Sequence, residues 1–129
     1  MKINSIEELE IWQDARVLFK QIIEFTNRDN FNKDFRLRDQ IKAASGSIMD
    51  NVSEGFGRGG NKEFINFLLI AKGSNEETRS QLYRALDNKY ITDEELKFAL
   101  DTTDKISRKI SNLVSYLKQS DFKGKNRSR

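Results

Sequence analysis

Residues 92–117 read TDEELKFALDTTDKISRKISNLVSYL, and this stretch decides the fold. Thr92-x-x-Glu95 is a capping box, the start signal of a helix. Behind it Leu96, Ala99/Leu100, Thr103, Ile106, Ile110, Leu113 and Leu117 recur at alternating steps of three and four. Such a seam favours shallow, near-antiparallel packing on other helices, at crossing angles near +20°. Three further segments read the same way. One opens at a second capping box, Ser5-x-x-Glu8, and carries Leu9, Trp12, Ala15, Phe19, Ile22 and Thr26, widened by Ile11, Leu18 and Phe25. It ends in the polar run Asn27-Arg28-Asp29-Asn30. The next spans about Asp34 to Glu54 with Leu37, Ile41, Ala44, Ile48 and Val52 on its face, and small residues beside them that let a neighbour approach closely. Its Gly46 costs about 1 kcal/mol relative to Ala, which packing has to offset.

The third segment starts at Asn61, read as an N-cap, with Glu63 in its first turn. Phe64, Phe67, Leu68, Ala71, Leu82, Ala85 and Leu86 form its main stripe; Ile65, Leu69 and Tyr83 form a second one about 100° away. A helix apolar over so wide an arc is buried on both sides, so Ile65, Leu69 and Tyr83 are the candidate contacts between subunits of an oligomer. No convincing strand appears. Helices of this length joined by short loops give an all-α, up-down-up-down antiparallel four-helix bundle over residues 1–117.

Composition agrees. The 129 residues include no His, Cys or Pro. Average usage would supply about six prolines, so their absence favours long uninterrupted helices. Without imidazole or thiolate there is no structural zinc site, no Cys or Ser–His nucleophile pair, no disulfide and no Glu-x-x-His di-metal bundle. The expectation is a protein with no cofactor, no metal and no enzymatic activity. No apolar run approaches the ~20 residues of a membrane span, and the N-terminus opens no apolar signal region; no membrane partner and a cytoplasmic location follow. Charged residues are 33% of the chain. The net charge of +3 is concentrated in residues 118–129, KQSDFKGKNRSR, which hold five Lys/Arg against Asp121. The other 117 residues hold 18 basic and 19 acidic groups. This terminal stretch loses the apolar periodicity and reads as a disordered basic tail.

Residues 55–60, Gly-Phe-Gly-Arg-Gly-Gly, hold four of the seven glycines. Gly55, Gly57 and Gly60 match G-x-G-x-x-G, but that motif needs a strand before it. Asn61 stands where a Walker loop has Lys. Two readings stay open: exposed backbone N–H groups flanked by Arg58 and Lys62 that hold an anion, or a reversal using left-handed backbone where glycine is cheap. Arg36, Arg38 and Lys42 recur on the second segment, with Asp34 and Asp39 interleaved. Together with Arg58, Lys62 and the tail residues Lys123, Lys125, Arg127 and Arg129 they are the candidate nucleic-acid contacts. Glu77, mid-helix near Thr78 and Gln81, suits an interhelical or intersubunit ion pair better than acid–base work. Trp12 reads as packing, not as a stacking platform.

Several strings resemble one family. They are Leu9-Glu10-Ile11-Trp12-Gln13-x-Ala15, Gln40-Ile41-x-x-Ala44, and Ser47-Ile48-x-x-Asn51-Val52-Ser53-Glu54-Gly55-Phe56-Gly57-Arg58-Gly59. Glu63-Phe64-Ile65-x-Phe67-Leu68, Ile70-Ala71-x-Gly73-Ser74-x-x-Glu77 and Gln81-Leu82 follow. Over residues 6–117 the chain is similar to the bacterial four-helix bundle proteins typified by the 23S rRNA intervening-sequence protein. The resemblance implies a homopentamer, and distant kinship with the accessory protein of diversity-generating retroelements, which contacts reverse transcriptase and nucleic acid. It implies no reaction. Asn51, Glu54, Gly55, Gly57 and Arg58 match the most distinctive family motif. Met49 stands where Pro is usual, Asn75 and Thr78 where apolar residues are frequent, and Arg79 where an acid is. The expected function is multivalent binding of RNA or DNA, most simply structured RNA, by a homo-oligomer of this chain. The alternative is a scaffold for another protein.

Overall fold

The structure, a computed structural model, describes residues 3–127, with side chains given through residue 120. Among the described residues it contains helices and no strand. After a single 3-10 turn at Ile6–Glu8 come α1 (Glu10–Thr26), a short α2 (Asp29–Lys33), α3 (Phe35–Arg58), α4 (Asn61–Asp87) and α5 (Asp93–Arg127). α1 packs on α3 and α5, and α4 packs on the same two, so α1 faces α4 across the core. Cross-contacts fix the directions. Ser74 meets Ser47 and Arg84 meets Gln40, so α4 runs back along α3. Asn61 meets Leu117 and Asn75 meets Thr103, so α5 runs back along α4. Lys109 meets Glu10 and Asp14 while Glu95 meets Arg28, which makes α5 antiparallel to α1 as well. The result is the expected up-down-up-down bundle.

The core follows the helical period. Leu18 and Ile22 of α1, Ile41, Ile48 and Val52 of α3, Leu68 and Leu82 of α4, and Ile106 and Ile110 of α5 are completely buried. The buried line of α1 differs from the expected one. It runs through Ile11, Ala15, Leu18, Ile22 and Phe25, whereas Trp12 and Phe19 are half-buried. Phe19 turns toward α3, where a Cβ built on Gly46 would lie 3.4 Å from its Cε1. This packing offsets the propensity cost of Gly46.

Three local corrections concern helix ends. Glu8 accepts from the N–H groups of Asn4 and Ser5 at 2.7 and 2.9 Å. That closes the 3-10 turn, and α1 starts only at Glu10, with Leu9 at its N-cap. The polar run after α1 holds α2, because Phe31 is fully buried there and stacks on Tyr90 at 4.6 Å. The Tyr90 hydroxyl donates to Asp34 (2.9 Å), whose other oxygen accepts from Leu37 N–H and caps α3. The Arg28 guanidinium donates in a fork to the Glu95 carboxylate and to Tyr90 O. This corner is thereby latched to the α4–α5 turn. The Thr92 box forms as expected: Thr92 N–H donates to Glu95 at 2.9 Å and Glu95 N–H to the Thr92 hydroxyl at 3.1 Å.

The third correction is α3. It continues through Gly55, Phe56, Gly57 and Arg58. The reversal is confined to Gly59, in the left-handed region at φ 86°, and Gly60, the extended N-cap of α4. Asn61 is the first helical residue and not the cap; its side-chain amide donates to Leu117 O at 3.2 Å. Gly55 sits where α3 and α4 converge: a Cβ there would lie 2.7 Å from Phe67 Cβ and 3.0 Å from Phe64 Cδ1. α5 extends to Arg127, past the point at which the sequence reading closes the bundle, and Leu117 is the last buried side chain of its seam among the described residues. Lys123, Lys125, Arg127 and Arg129 of the expected basic tail lie outside the described side chains.

Candidate functional site

The structure divides the candidate basic residues into two groups. Arg36, Arg38 and Lys42 lie on the first turns of α3; Arg58 and Lys62 flank the Gly59-Gly60 turn at the opposite end of the bundle. Arg58 lies twenty positions beyond Arg38 on α3, a rise of about 30 Å, so one chain does not bring them together. Two of them are already engaged. Arg38 donates to Asp39 (2.9 Å) and to the backbone and side-chain oxygens of Asn32 (3.1 Å each), and lies over the Phe35 ring. Arg58 pairs with Glu54 at 3.1 Å and Glu63 at 3.8 Å and lies 5.2 Å from the Phe67 centroid. Arg36, Lys42 and Lys62 make no ion pair among the described residues.

Gly55 to Arg58 are helical and their N–H groups point along the helix, which removes them as loop donors to an anion. Glu63 also faces this turn. The other reading holds in a narrower form, as a two-residue reversal. Two of the motif residues, Asn51 and Gly55, lie at the α3–α4 seam. Asn51 donates to Ser47 O and Oγ at 2.8 and 2.9 Å, and Ser47 Oγ accepts from Ser74 across the α3–α4 seam at 3.0 Å. Glu54 holds Arg58, Gly55 permits the close approach, and Gly57 faces open space.

The candidate interface residues lie on α4. Ile65 is half-buried against the core, while Leu69 and Tyr83 are 49% and 47% exposed. The helical period places all three on one outward face. Sequence reading missed Ile70, 52% exposed on the same helix, and the exposed rings of Phe35, Phe98 and Tyr116. On the α3 side of α4, Gln40, Ala43, Ser47, Ser74, Glu77, Gln81 and Arg84 line a polar groove of about 510 Å³ between α3 and α4. Gln81 is buried there, and its Oε1 finds no donor among the described residues. Glu77 makes no ion pair among them either. Asn75, Thr78 and Gln81 form a buried polar line down α4. Asn75 donates to Thr103 O at 2.8 Å and Thr78 to Ser74 O at 2.9 Å, while Arg79 reaches Thr103 and Asp104 on α5, both at 2.6 Å.

Two shifted groups sit in ion pairs that tie α5 to α1 and to the turn after it. The Arg28 fork holds the Glu95 carboxyl down to about 2, and Asp14 and Glu10 raise the Lys109 ammonium. No group of three or more acidic residues among those described is placed to hold a metal ion. No described helix is long and apolar enough to cross a membrane.

A family model described as 23S rRNA-intervening sequence protein matches residues 7–112. No curated protein matches the chain. Among solved structures, the chain is similar to a protein of unknown function from the S23 ribosomal protein family of Bacteroides thetaiotaomicron VPI-5482, determined at 1.70 Å. The likeness has a TM-score of 0.72 at 23% identity and covers 81% of this chain and 97% of that one. It is a likeness of fold.

Proposed function

This chain belongs to the 23S rRNA-intervening sequence protein family, and from that membership we propose that it works in the cytoplasm as a homo-oligomeric, most simply pentameric, bundle that binds structured RNA and catalyses no reaction. The observation that carries the assembly is the outward face of α4, where Leu69 and Tyr83 lie in line and are about half exposed in a chain one-third charged. Apolar faces of this kind mark contact surfaces. Assembly also multiplies the candidate cations. Of the candidates, one bundle offers Arg36, Lys42 and Lys62 outside ion pairs at separated places; a ring repeats them, and avidity raises a weak contact by about 10²–10⁴ when the ligand spans subunits. Light scattering at micromolar concentration, followed by titration with a labelled hairpin RNA over a salt series, tests the proposal. A multimer whose affinity falls steeply with salt supports it. A monomer, or absence of binding at low salt, overturns it. A protein partner that survives nuclease and high salt would favour the scaffold reading, which the neutralised Arg38 and Arg58 suit.

A further inference from the structure

α1 carries a surface that none of the candidate residues covers. Glu7, Trp12, Gln13, Arg16, Val17 and Lys20 line a shallow depression of about 340 Å³. The spacing i, i+4, i+8 sets Trp12, Arg16 and Lys20 in one row. Trp12 is half-buried, with part of its indole against the core and the rest open to the depression. The Arg16 guanidinium lies 5.9 Å from the indole centroid. Three other arginines lie over aromatic rings, Arg28, Arg38 and Arg58, and each is paired with a carboxylate. Arg16 is not, and neither is Lys20, among the described residues. Gln13 donates to Glu7 O at 2.7 Å and holds the 3-10 turn against α1. Glu7 lines the same depression, and hydrogen bonds from its own backbone N–H and from Ser5 hold its carboxyl below the ordinary value.

We propose that this depression takes one unstacked guanine of an RNA loop, with the adjoining phosphates on Arg16 and Lys20. The inference rests on the RNA reading above and names the group that is read. Unpaired RNA bases are recognised by stacking on aromatic rings or guanidinium planes and by hydrogen bonds to their Watson–Crick edge. An indole and a guanidinium supply the stacking here. A carboxylate offers two adjacent acceptors, and guanine presents two adjacent donors, N1–H and N2–H, on that edge. The two unpaired cations complement a polyanion, whereas an apolar partner would leave them desolvated.

Trp12 is the chain's one tryptophan, so its emission reports on this depression alone. The full-length protein is titrated at low salt with end-labelled hairpin RNAs that differ only in a loop guanine or adenine. Label anisotropy follows binding and Trp12 fluorescence follows the depression. The guanine loop should quench Trp12 and bind more tightly than the adenine loop. Arg16→Gln, at an exposed position, should weaken it about tenfold, as should Trp12→Leu. Glu7→Gln should remove the preference for guanine, so that the two loops bind alike. Trp12→Phe, compared by far-UV circular dichroism, separates loss of stacking from loss of folding and should retain most of the affinity. RNA binding with unchanged Trp12 emission, and with Arg16→Gln and Glu7→Gln equal to the parent, overturns this inference and leaves the RNA reading standing. Equal quenching by an acidic peptide also overturns it. No RNA binding at low salt overturns both.

Discussion

Two glycines two residues apart, on opposite sides of α3, should respond oppositely to the same substitution. Gly55 and Gly57 both lie in the last turns of α3, and Ala is the better helix former by about 1 kcal/mol at an interior position, less near an end. At Gly57 a Cβ meets nothing within 4 Å, so Gly57→Ala should stabilise the bundle by about 0.5–1 kcal/mol. At Gly55 the same Cβ would lie 2.7 Å from Phe67 Cβ, where carbon atoms ordinarily rest at about 3.5–4.0 Å. A Cβ cannot swing aside, so α3 and α4 must separate by about 1 Å along their closest contact, the same overpacking that costs about 1–3 kcal/mol or more in other cores. The gain in propensity offsets part of this, and Gly55→Ala should destabilise by about 1–3 kcal/mol. For a chain of this size that is a fall of roughly 3–5 °C per kcal/mol, against a rise of a few degrees for Gly57→Ala. Thermal and urea unfolding followed at 222 nm read both. Shifts of the same sign, or a Gly55→Ala protein as stable as the parent, would refute the claim that the motif glycine exists for helix approach.

Glu95 sets a pH dependence. Its folded value of about 2 lies below the ordinary 4.5, so its stabilisation is complete above pH 4.5 and is lost as pH falls from there through 2. With both partners about one-third exposed, the loss should be ~1–2 kcal/mol; Glu95→Gln should flatten the urea midpoint over that range, and an unchanged profile would contradict the latch. Gln81→Met removes a buried acceptor without a donor and should be neutral or stabilise by up to about 1.5 kcal/mol; a clear loss in urea unfolding would show that the amide has a partner. Leu69→Asp with Tyr83→Asp should leave helicity intact, since both side chains are half exposed, while the mass in light scattering drops to the 15.0 kDa chain. A multimer that survives both changes would place the interface elsewhere.

The four long helices and their order were legible because each carries a sustained apolar period, and because the Thr92–Glu95 box and Asp34 mark starts that the structure keeps. The end of α3 was not legible. Four glycines in six residues look like a loop, and only the three-dimensional approach of Phe67 explains why Gly55 belongs inside a helix. The short α2 was hidden because its reason for existing, the Phe31–Tyr90 stack, joins residues distant in sequence. The rotation of the α1 stripe has a related cause: Phe19 is long enough to reach Gly46 of α3 from the flank, leaving the centre to Ile11, Leu18 and Phe25. The basic candidates were visible as residue types, but their neutralisation by Asp39, Glu54 and Glu63 depends on geometry. The Trp12–Arg16–Lys20 row was readable as spacing and was passed over because an aromatic on an apolar stripe reads first as core.

The measurement that bears most directly on the central claim is the salt dependence of hairpin-RNA affinity for the parent protein and for the Leu69→Asp, Tyr83→Asp protein, side by side. The account predicts a parent multimer that loses affinity steeply as salt rises, and a monomeric variant that is still helical, binds at least a hundredfold more weakly and has a shallower slope. Equal affinity and slope for multimer and monomer, or no binding by either at low salt, would contradict it.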